Sequence, residues 1–135
     1  GMQLGTRAYQ SYEQVMYGNA GRKSDVWTLG AVFYSLLTQT MLIDPEDVRL
    51  YPEYSCPLRL YSATRQYLLL QYYDKVLYAK KDNACHLNML LQYEGVSVFS
   101  KLLRGMLKKN SDDRLSPKEV HAELLRIRRD GASPT

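Results

Sequence analysis

The sequence predicts a mainly helical domain arranged around one central helix, and three patterns support this prediction. The segment from Ser24 to Leu37 carries apolar residues in nearly every direction around a helix, which is typical of a helix buried on all sides. Phe99 to Leu107 has apolar residues at i, i+3, i+4, i+7 and i+8, the spacing of a helix with one buried face. The stretch from Ser116 to Glu119 has the composition of a helix start. With 135 residues, of which 45% are apolar and 24% charged, the chain is expected to form one folded domain over residues 1–135.

A break in the sequence pattern separates the first residues from the central helix. Gly1 before Met2 is typical of a cleaved purification tag, so residues 1–2 are predicted to be a tag remnant and the start of the reading frame. Gly21 breaks the chain ahead of the central helix. Either Ser24 or Asp25 is predicted to be the N-cap, because both side chains can accept a hydrogen bond from a free amide at a helix start.

The middle of the chain combines a proline-rich stretch with a tyrosine-rich one. Thr40 to Leu60 is predicted to be an extended loop with one short helical turn near Pro45. Ala63 to Lys81 is predicted to be a helix in which one face is formed by Leu69, Tyr73, Val76 and Lys80. Tyrosines at helical spacing favour packing in a core or an interface over stacking on nucleic-acid bases.

Shorter elements complete the C-terminal third. A turn is predicted at Asp82-Asn83, followed by a short helix that Gly95 ends and whose apolar residues are Leu87, Leu90 and Leu91. After the helix at 99–107, residues 110–113 are predicted to form a polar loop. The pattern contains no convincing strand.

The last helix is predicted to begin at Pro117, with Ser116 as its N-cap and Glu119 completing a capping box. The residues expected to face inward are Val120, Leu124 and Ile127. Three arginines are expected to face water, namely Arg126, Arg128 and Arg129. Residues 130–135 are predicted to be a flexible tail.

Composition excludes several classes of function. The net charge of +4 permits an acidic partner without requiring one, and no large basic cluster indicates a nucleic-acid reader. No apolar run reaches the length of about 20 residues that spans a membrane. A zinc site would need all of Cys56, Cys85, His86 and His121, so no metal site is predicted. Two reduced thiols favour a cytoplasmic protein. The charge and the lack of a long apolar run lead us to expect neither a nucleic-acid nor a membrane partner.

Two stretches near the N-terminus resemble parts of a eukaryotic protein kinase of the serine/threonine type. GTRAYQSYE from Gly5 to Glu13 resembles the end of the activation segment, and DVWTLG from Asp25 to Gly30 resembles the central helix. LKKNSDDRLSPKEV from Leu107 to Val120 resembles the arginine-bearing loop and the final helix. The resemblance covers the whole chain as the C-terminal part of the large lobe, with a divergent stretch from about Pro45 to Glu94.

The resemblance implies a role for individual residues. Glu13 matches the glutamate of A-P-E, which forms a buried ion pair with an arginine, here Arg114, although ordinary surface charges are the default for both residue types. The substrate pocket is assigned to Gly5, Thr6, Arg7, Ala8, Tyr9, Gln10 and Ser11. Within that group, Thr6 matches the threonine that is aimed at the catalytic aspartate and lysine. The sequence departs from A-P-E where Ser11 and Tyr12 replace the alanine and the proline, and this affects the expected shape of the pocket.

The resemblance implies that three residues anchor the central helix, namely Asp25, Trp27 and Gly30. Asp25 matches the aspartate that caps this helix and holds the backbone of the catalytic loop in kinases. Asp25 could instead act only as the N-cap of the helix. Capping and holding the catalytic loop need the same geometry, so the sequence leaves both roles open.

Residues for phosphoryl transfer were sought and not found. No stretch matches H-R-D, D-F-G or G-x-G-x-x-G, and Asp130-Gly131 lies in the predicted tail. Positioning and charge neutralisation supply nearly all of the catalysis in this reaction. The chain alone is therefore expected to have no catalytic residues and no cofactor, with ATP and magnesium expected only for an intact parent kinase.

Two origins are consistent with these features. The chain is either part of a serine/threonine kinase or pseudokinase whose upstream part was lost in cloning or gene modelling, or a remnant that acts as a binding module, which a native start at Met2 would favour. The alternative function is a non-catalytic helical interaction module, and a basic binder of nucleic acid or membrane surfaces is a weaker third. The part of the large lobe that the chain resembles lacks the elements that cover the central helix in a kinase. Some of Leu29, Val32, Phe33 and Leu36 are therefore expected to lie open, and a protein partner or self-association is expected there.

Overall fold

The computed structural model describes residues 9–18, 21–43, 69–81 and 84–132, and these are mainly helical, as the sequence predicts. A helical stretch at 69–72 runs directly into a turn of π-helix, and two segments of 3-10 helix flank the fourth α-helix. In chain order, the elements are α1 (Tyr12–Tyr17), α2 (Arg22–Thr38), the π-helical turn (Tyr73–Leu77), β1 (Lys80–Lys81), β2 (Ala84–Cys85), α3 (His86–Leu90), a 3-10 segment (Glu94–Phe99), α4 (Ser100–Met106), a 3-10 turn (Ser111–Asp113) and α5 (Pro117–Ala132).

Helix α2 is central, but only one side of it is buried. Its buried side faces α4, α5 and the 3-10 segment, and comprises Ser24, Val26, Trp27, Gly30, Ala31 and Tyr34. On the other side, Leu29 is 53% exposed and Leu36 is 75% exposed, and Val32 is exposed as well. The prediction of a helix buried on all sides is therefore wrong, because the elements that pack on α2 in the described ranges cover only one side.

The start of α2 also differs from the prediction. Gly21 is the N-cap, and no side chain caps the first turn. Ser24 lies inside the helix, where its buried hydroxyl donates a hydrogen bond to Glu13 instead of accepting one from the backbone. Asp25 is exposed in the same first turn. The N-cap role predicted for these two residues is wrong, since the helix begins at Arg22.

The tyrosine-rich segment supplies core residues, as predicted, but it ends earlier. Leu69, Tyr72, Tyr73 and Leu77 are buried, and the helical structure stops at Leu77 rather than at Lys81. Lys80–Lys81 instead pairs antiparallel with Ala84–Cys85, so a small strand pair exists where none was predicted. The start of the predicted helix, the loop from Asp44 onward with its turn near Pro45, and the turn at Asp82-Asn83 lie outside the described residues.

Gly95 does not end a helix, because it lies in the segment that connects α3 to α4. Helix α3 ends at Leu90, and Gly95 lies within the 3-10 segment that leads into α4. A side chain at this position would come within 2.8 Å of the Tyr93 ring. An added side chain would therefore have to displace the exposed Tyr93 ring, a contact that a sequence pattern does not show.

Helices α4 and α5 complete the core. Leu102, Leu103, Met106 and Leu107 are buried, as their spacing predicts. The capping box of α5 is present: the Ser116 amide donates to Glu119 Oε1 (3.0 Å) and the Glu119 amide donates to Ser116 Oγ (3.2 Å).

Two details of α5 depart from the sequence analysis. Val120 is buried and Ile127 packs against the core, but Leu124 is exposed, so the prediction that Leu124 faces inward is wrong. Residues 130–132 continue the helix instead of starting a tail, and residues 133–135 lie outside the described residues.

Candidate functional site

The structure brings Glu13 and Arg114 together in a bidentate ion pair. Arg114 Nη1 lies 2.6 Å from Glu13 Oε2, and Nη2 lies 2.9 Å from Oε1. The Arg114 side chain is fully buried, and that of Glu13 is 18% exposed. A planar guanidinium and a carboxylate that meet through two parallel hydrogen bonds form one of the stronger polar contacts in proteins.

Every remaining N–H group of the Arg114 guanidinium also has an acceptor. Nε donates to the Lys108 carbonyl (3.0 Å), Nη1 to the Lys23 carbonyl (2.8 Å) and Nη2 to the Lys109 carbonyl (3.0 Å). A guanidinium has five N–H donors, so all of its hydrogen-bonding capacity is used. The buried charge therefore joins α1, the first turn of α2 and the loop after α4.

Glu13 is held in its ionised form by its neighbours. Burial by itself raises the pKa of this carboxyl, but hydrogen bonds from Arg114, from the backbone and from the Ser24 hydroxyl (2.9 Å) outweigh burial and lower the pKa to about 2. The contact between Ser24 and Glu13 is not predicted from the sequence. The position of Ser24 after Lys23 in the first turn of α2 carries no local signal for this contact.

Lys23 fixes the same loop from the other side. Its Nζ donates to the carbonyls of Arg114 (2.7 Å) and Ser111 (3.1 Å). Within the loop, the Asn110 side chain caps the 3-10 turn by accepting from the Asp112 amide (3.0 Å). The loop that carries Arg114 is therefore bound at several points, and sequence reasoning missed the contribution of Lys23.

The described part of the predicted substrate pocket consists of Tyr9, Gln10 and Ser11, and its backbone is fixed by two core side chains. Thr28 of α2 donates to the Tyr9 carbonyl (2.6 Å), and the buried Tyr73 hydroxyl donates to the Gln10 carbonyl. The positions before them, namely Gly5, Thr6, Arg7 and Ala8, lie outside the described residues. The pocket assignment as a whole is a prediction, and the structure shows how its C-terminal end is attached.

Ser11 and Tyr12 form the start of α1, where the sequence departs from A-P-E. Buried Ser11 is the N-cap, and it shares a capping box with Gln14: the Ser11 amide donates to Gln14 Oε1 (2.9 Å), and the Gln14 amide donates to Ser11 Oγ (3.4 Å). Tyr12 occupies the first helical position, which proline favours because its missing N–H is not needed there. Replacement of the proline is therefore compatible with a helix start.

The Tyr12 side chain makes contacts that a proline could not make. Its hydroxyl donates to Asp74 (3.3 Å), and Lys109 Nζ lies 4.5 Å from the centre of its ring while forming an ion pair with Asp74 (2.8 Å). The ring also meets Tyr73 edge-to-face, with centroids 5.9 Å apart. Burial, followed by the charge of Asp74, raises the pKa of Tyr12. Tyr12 thus connects α1 to the π-helical turn and to the loop after α4.

The predicted anchor residues of α2 have different environments. Trp27 is fully buried, and its Nε1 donates to the Tyr78 hydroxyl (2.8 Å), which donates in turn to the Leu107 carbonyl (2.7 Å). Gly30 permits close approach to α4, since an added Cβ would lie 3.0 Å from Met106 Cβ. Asp25 is exposed in the first turn of the helix. The structure therefore places two of the three anchor residues in the core and one at the surface.

Metal-binding and membrane-spanning features were also sought in the described residues. No three His, Cys, Asp or Glu side chains there are grouped so that they could hold a metal ion. Cys56, which the zinc hypothesis requires, lies outside those residues. None of the helices that the structure describes is long and apolar enough to cross a bilayer.

Comparison with known proteins gives one family and a short local match. The model of the protein kinase domain family matches residues 2–124. Over 38 residues the chain is 55% identical to the serine/threonine-protein kinase PknL from two strains of Mycobacterium tuberculosis and one of Mycobacterium bovis. The matched segment is 28% of this chain and spans only 10% of the length of each curated relative. No solved structure matches the chain significantly.

Proposed function

This chain belongs to the protein kinase domain family, and we propose that it forms the C-terminal part of the large lobe of a serine/threonine kinase. Its role in such a kinase is to hold the end of the activation segment, and with it the substrate pocket, against the central helix. The order of the elements supports this, because the A-P-E-like segment, the central helix, the arginine-bearing loop and the last helix follow one another as the family resemblance requires.

The observation that carries the proposal is the bidentate contact between Glu13 and Arg114. The resemblance pairs these two residues, which are 101 positions apart, and the geometry places them 2.6 and 2.9 Å from each other. An ordinary surface arginine is not fully buried with every N–H donor satisfied, as Arg114 is, and Glu13 is itself only 18% exposed. The pair fixes α1, and through α1 the segment that ends in Ser11.

The residues of this chain would support phosphoryl transfer by positioning. Thr28 and Tyr73 hold the backbone at Tyr9 and Gln10, and the Glu13–Arg114 pair holds the helix that follows. Phosphoryl transfer also needs groups that cradle the nucleotide and bind magnesium, and the sequence contains no H-R-D, D-F-G or glycine-rich motif. We therefore propose that ATP-dependent transfer takes place only in an intact parent protein, and that this chain alone is inactive.

A second candidate function is a non-catalytic interaction module derived from a kinase lobe. The observation that favours it is the row of exposed apolar side chains on α2, formed by Leu29, Val32 and Leu36. Apolar patches of more than a few hundred Å² are uncommon on monomers and usually mark an interface. This function and the first differ in whether transfer can be restored by adding the remainder of a kinase domain.

The test has two arms. The purified chain is first assayed for a thermal shift with MgATP and for transfer of labelled phosphate to a generic protein substrate, and neither is expected. A Trp27→Ala preparation serves as the control, because its core is disrupted and any transfer that persists in it comes from a contaminating kinase. A nucleotide-dependent shift, or transfer that is lost in the control, would contradict inactivity.

The second arm tests the kinase assignment itself. The chain replaces the corresponding segment of the PknL relative, and the chimera is checked for cooperative unfolding before assay. Transfer by the folded chimera is expected if the chain can hold a substrate pocket in place. A chimera that binds MgATP and unfolds cooperatively but transfers no phosphate would favour the interaction module.

A further inference from the structure

The outward face of α5 separates positive from negative charge. Wheel positions at 100° per residue define one stripe opposite the core-facing Val120 and Ile127. It consists of Lys118, His121, Ala122, Leu125, Arg128 and Arg129. All six are exposed, and the stripe contains no acidic residue. We name it the basic stripe of α5.

The acidic residues of this helix lie together on one flank, and each is already engaged. Glu119 is used in the capping box with Ser116. Glu123 and Asp130 both accept hydrogen bonds from Arg126, which lies between them on the same flank. The carboxylates are therefore not directed toward the basic stripe.

The cations of the basic stripe have no such partners. In the part of the chain that the structure describes, Lys118, Arg128 and Arg129 take part in no ion pair. Arg129 lies in the last turn and complements the helix dipole, but Lys118 lies in the first turn, where the dipole disfavours a positive charge. The helix dipole thus accounts for one of the three cations and disfavours another.

An apolar side chain lies between the cations. Leu125 is 49% exposed, one turn before Arg129 and two turns after Lys118. A rise of 1.5 Å per residue separates the two ends of the stripe by about 16 Å. The stripe therefore presents positive charge at both ends and apolar surface near its middle, over the length of a short peptide.

We propose that the basic stripe of α5 is a docking surface for an acidic protein segment that places an apolar side chain on Leu125. A membrane surface fits less well, because interfacial helices insert several apolar side chains and this face has one. A nucleic acid fits less well because the stripe has no aromatic residue and few cations. A second copy of this chain, with its net charge of +4, is not a complementary partner.

The test uses the full chain and a fluorescent peptide of about 15 residues that is rich in Glu, with leucine at every seventh position. Anisotropy titration is expected to show binding that weakens as salt is raised, because exposed charges are screened. The same peptide with Lys in place of Glu is the control ligand and is not expected to bind.

Matched variants identify the surface. The double variant R128Q/R129Q is expected to weaken binding about fivefold or more, and Leu125→Ala about threefold or more. R126Q removes one positive charge from the flank that carries Glu123 and Asp130, outside the basic stripe, and is expected to change affinity by less than about twofold. Circular dichroism verifies that each variant keeps its helix.

Four outcomes would overturn the proposal. The first is equal weakening by R126Q and by the double variant, and the second is no detectable binding up to about 1 mM peptide. The third is tighter binding to phosphatidylserine vesicles or to single-stranded poly-uridine than to the acidic peptide. A loss of thermal stability in R128Q/R129Q with unchanged binding would likewise show that these arginines only stabilise the helix.

Discussion

Arg114 binds both carboxylate oxygens of Glu13, and the two residues are 101 positions apart in the sequence. The contact joins α1 to the loop before α5. A single interaction therefore links elements from the two ends of the described chain. It also sets the protonation state of Glu13, whose pKa is lowered to about 2. Stability, pH response and the position of the predicted substrate pocket therefore all depend on this pair.

Removal of Arg114 is expected to be severely destabilising. Arg114→Ala leaves the Glu13 carboxylate without its charged partner and removes the guanidinium donors to the Lys23, Lys108 and Lys109 carbonyls. Breaking a buried ion pair in this way costs about 3 to 5 kcal/mol of unfolding free energy. Urea denaturation followed by circular dichroism measures the loss.

Arg126→Ala provides the matched control for this substitution. Arg126 pairs with the carboxylates of Glu123 and Asp130, but its side chain is well exposed. Its removal is therefore expected to cost less than about 1 kcal/mol of unfolding free energy. Equal effects of the two substitutions, or an Arg114→Ala loss below about 1 kcal/mol, would show that the Glu13–Arg114 pair is not buried in solution.

Acid is expected to destabilise the domain through Glu13. Because the folded-state pKa lies below the ordinary value of 4.5, the ionised form stabilises the fold above that value, and this contribution is lost as pH falls from about 4.5 to 2. The lowered pKa corresponds to a contribution of at most about 3 kcal/mol to the free energy of unfolding, because solvent screens the partly exposed carboxylate. Unfolding curves of the wild type and Glu13→Gln, measured from pH 7 to pH 2, should show a constant gap above pH 5 that narrows below it. A gap that does not change with pH would contradict the prediction.

Local signals in the sequence were sufficient for the C-terminal helices. The Ser116 to Glu119 capping box depends on residues three positions apart, and the buried face of α4 follows from its own spacing. The partnership of Glu13 with Arg114 carries no local signal, and only the family resemblance pointed to it. Ser24 and Lys23, which complete that site, were missed because their contacts join segments far apart in sequence.

Other features depend on tertiary packing and could not be read from the pattern. Apolar residues all around α2 do not show which of them its neighbours cover, and the described neighbours lie on one side. The predicted tyrosine-rich helix ends at Leu77, and the next residue, Tyr78, uses its hydroxyl to connect Trp27 to the Leu107 carbonyl, a contact between segments far apart in sequence. Gly95 was interpreted as a helix end because its packing against Tyr93 is invisible in the sequence.

The hydrogen bond between Trp27 and Tyr78 is expected to stabilise the core measurably. Tyr78→Phe removes the acceptor of the buried Trp27 Nε1 and the donor to the Leu107 carbonyl, which should cost about 1 to 3 kcal/mol. Tyr17→Phe, at an exposed tyrosine, is the control and should change stability by less than about 0.5 kcal/mol. Thermal unfolding of both variants tests this, and a Tyr78→Phe variant as stable as the control would mean that the hydrogen bond contributes nothing.

The exposed side of α2 leads to a prediction about assembly. Leu29, Val32 and Leu36 lie open, and Leu29 also lines a groove of about 200 Å³ between α2 and α5. Covering about 800 Å² of mostly apolar surface gives a gross gain of about 20 kcal/mol, against association costs of about 4 to 15 kcal/mol. The balance favours association at micromolar concentration, most simply as a two-fold dimer in which each copy covers the α2 face of the other.

Light scattering at tens of micromolar is therefore expected to show a species of about twice the 15.6 kDa chain mass. Leu36→Gln should shift this species to the monomer, because it places a polar amide at the most exposed apolar position of α2. Leu125→Gln makes the same change on the far side of α5 and should leave the dimer intact. A monomeric wild type that also fails to bind an apolar-surface dye would contradict the prediction, since the α2 face would then be covered within a single chain.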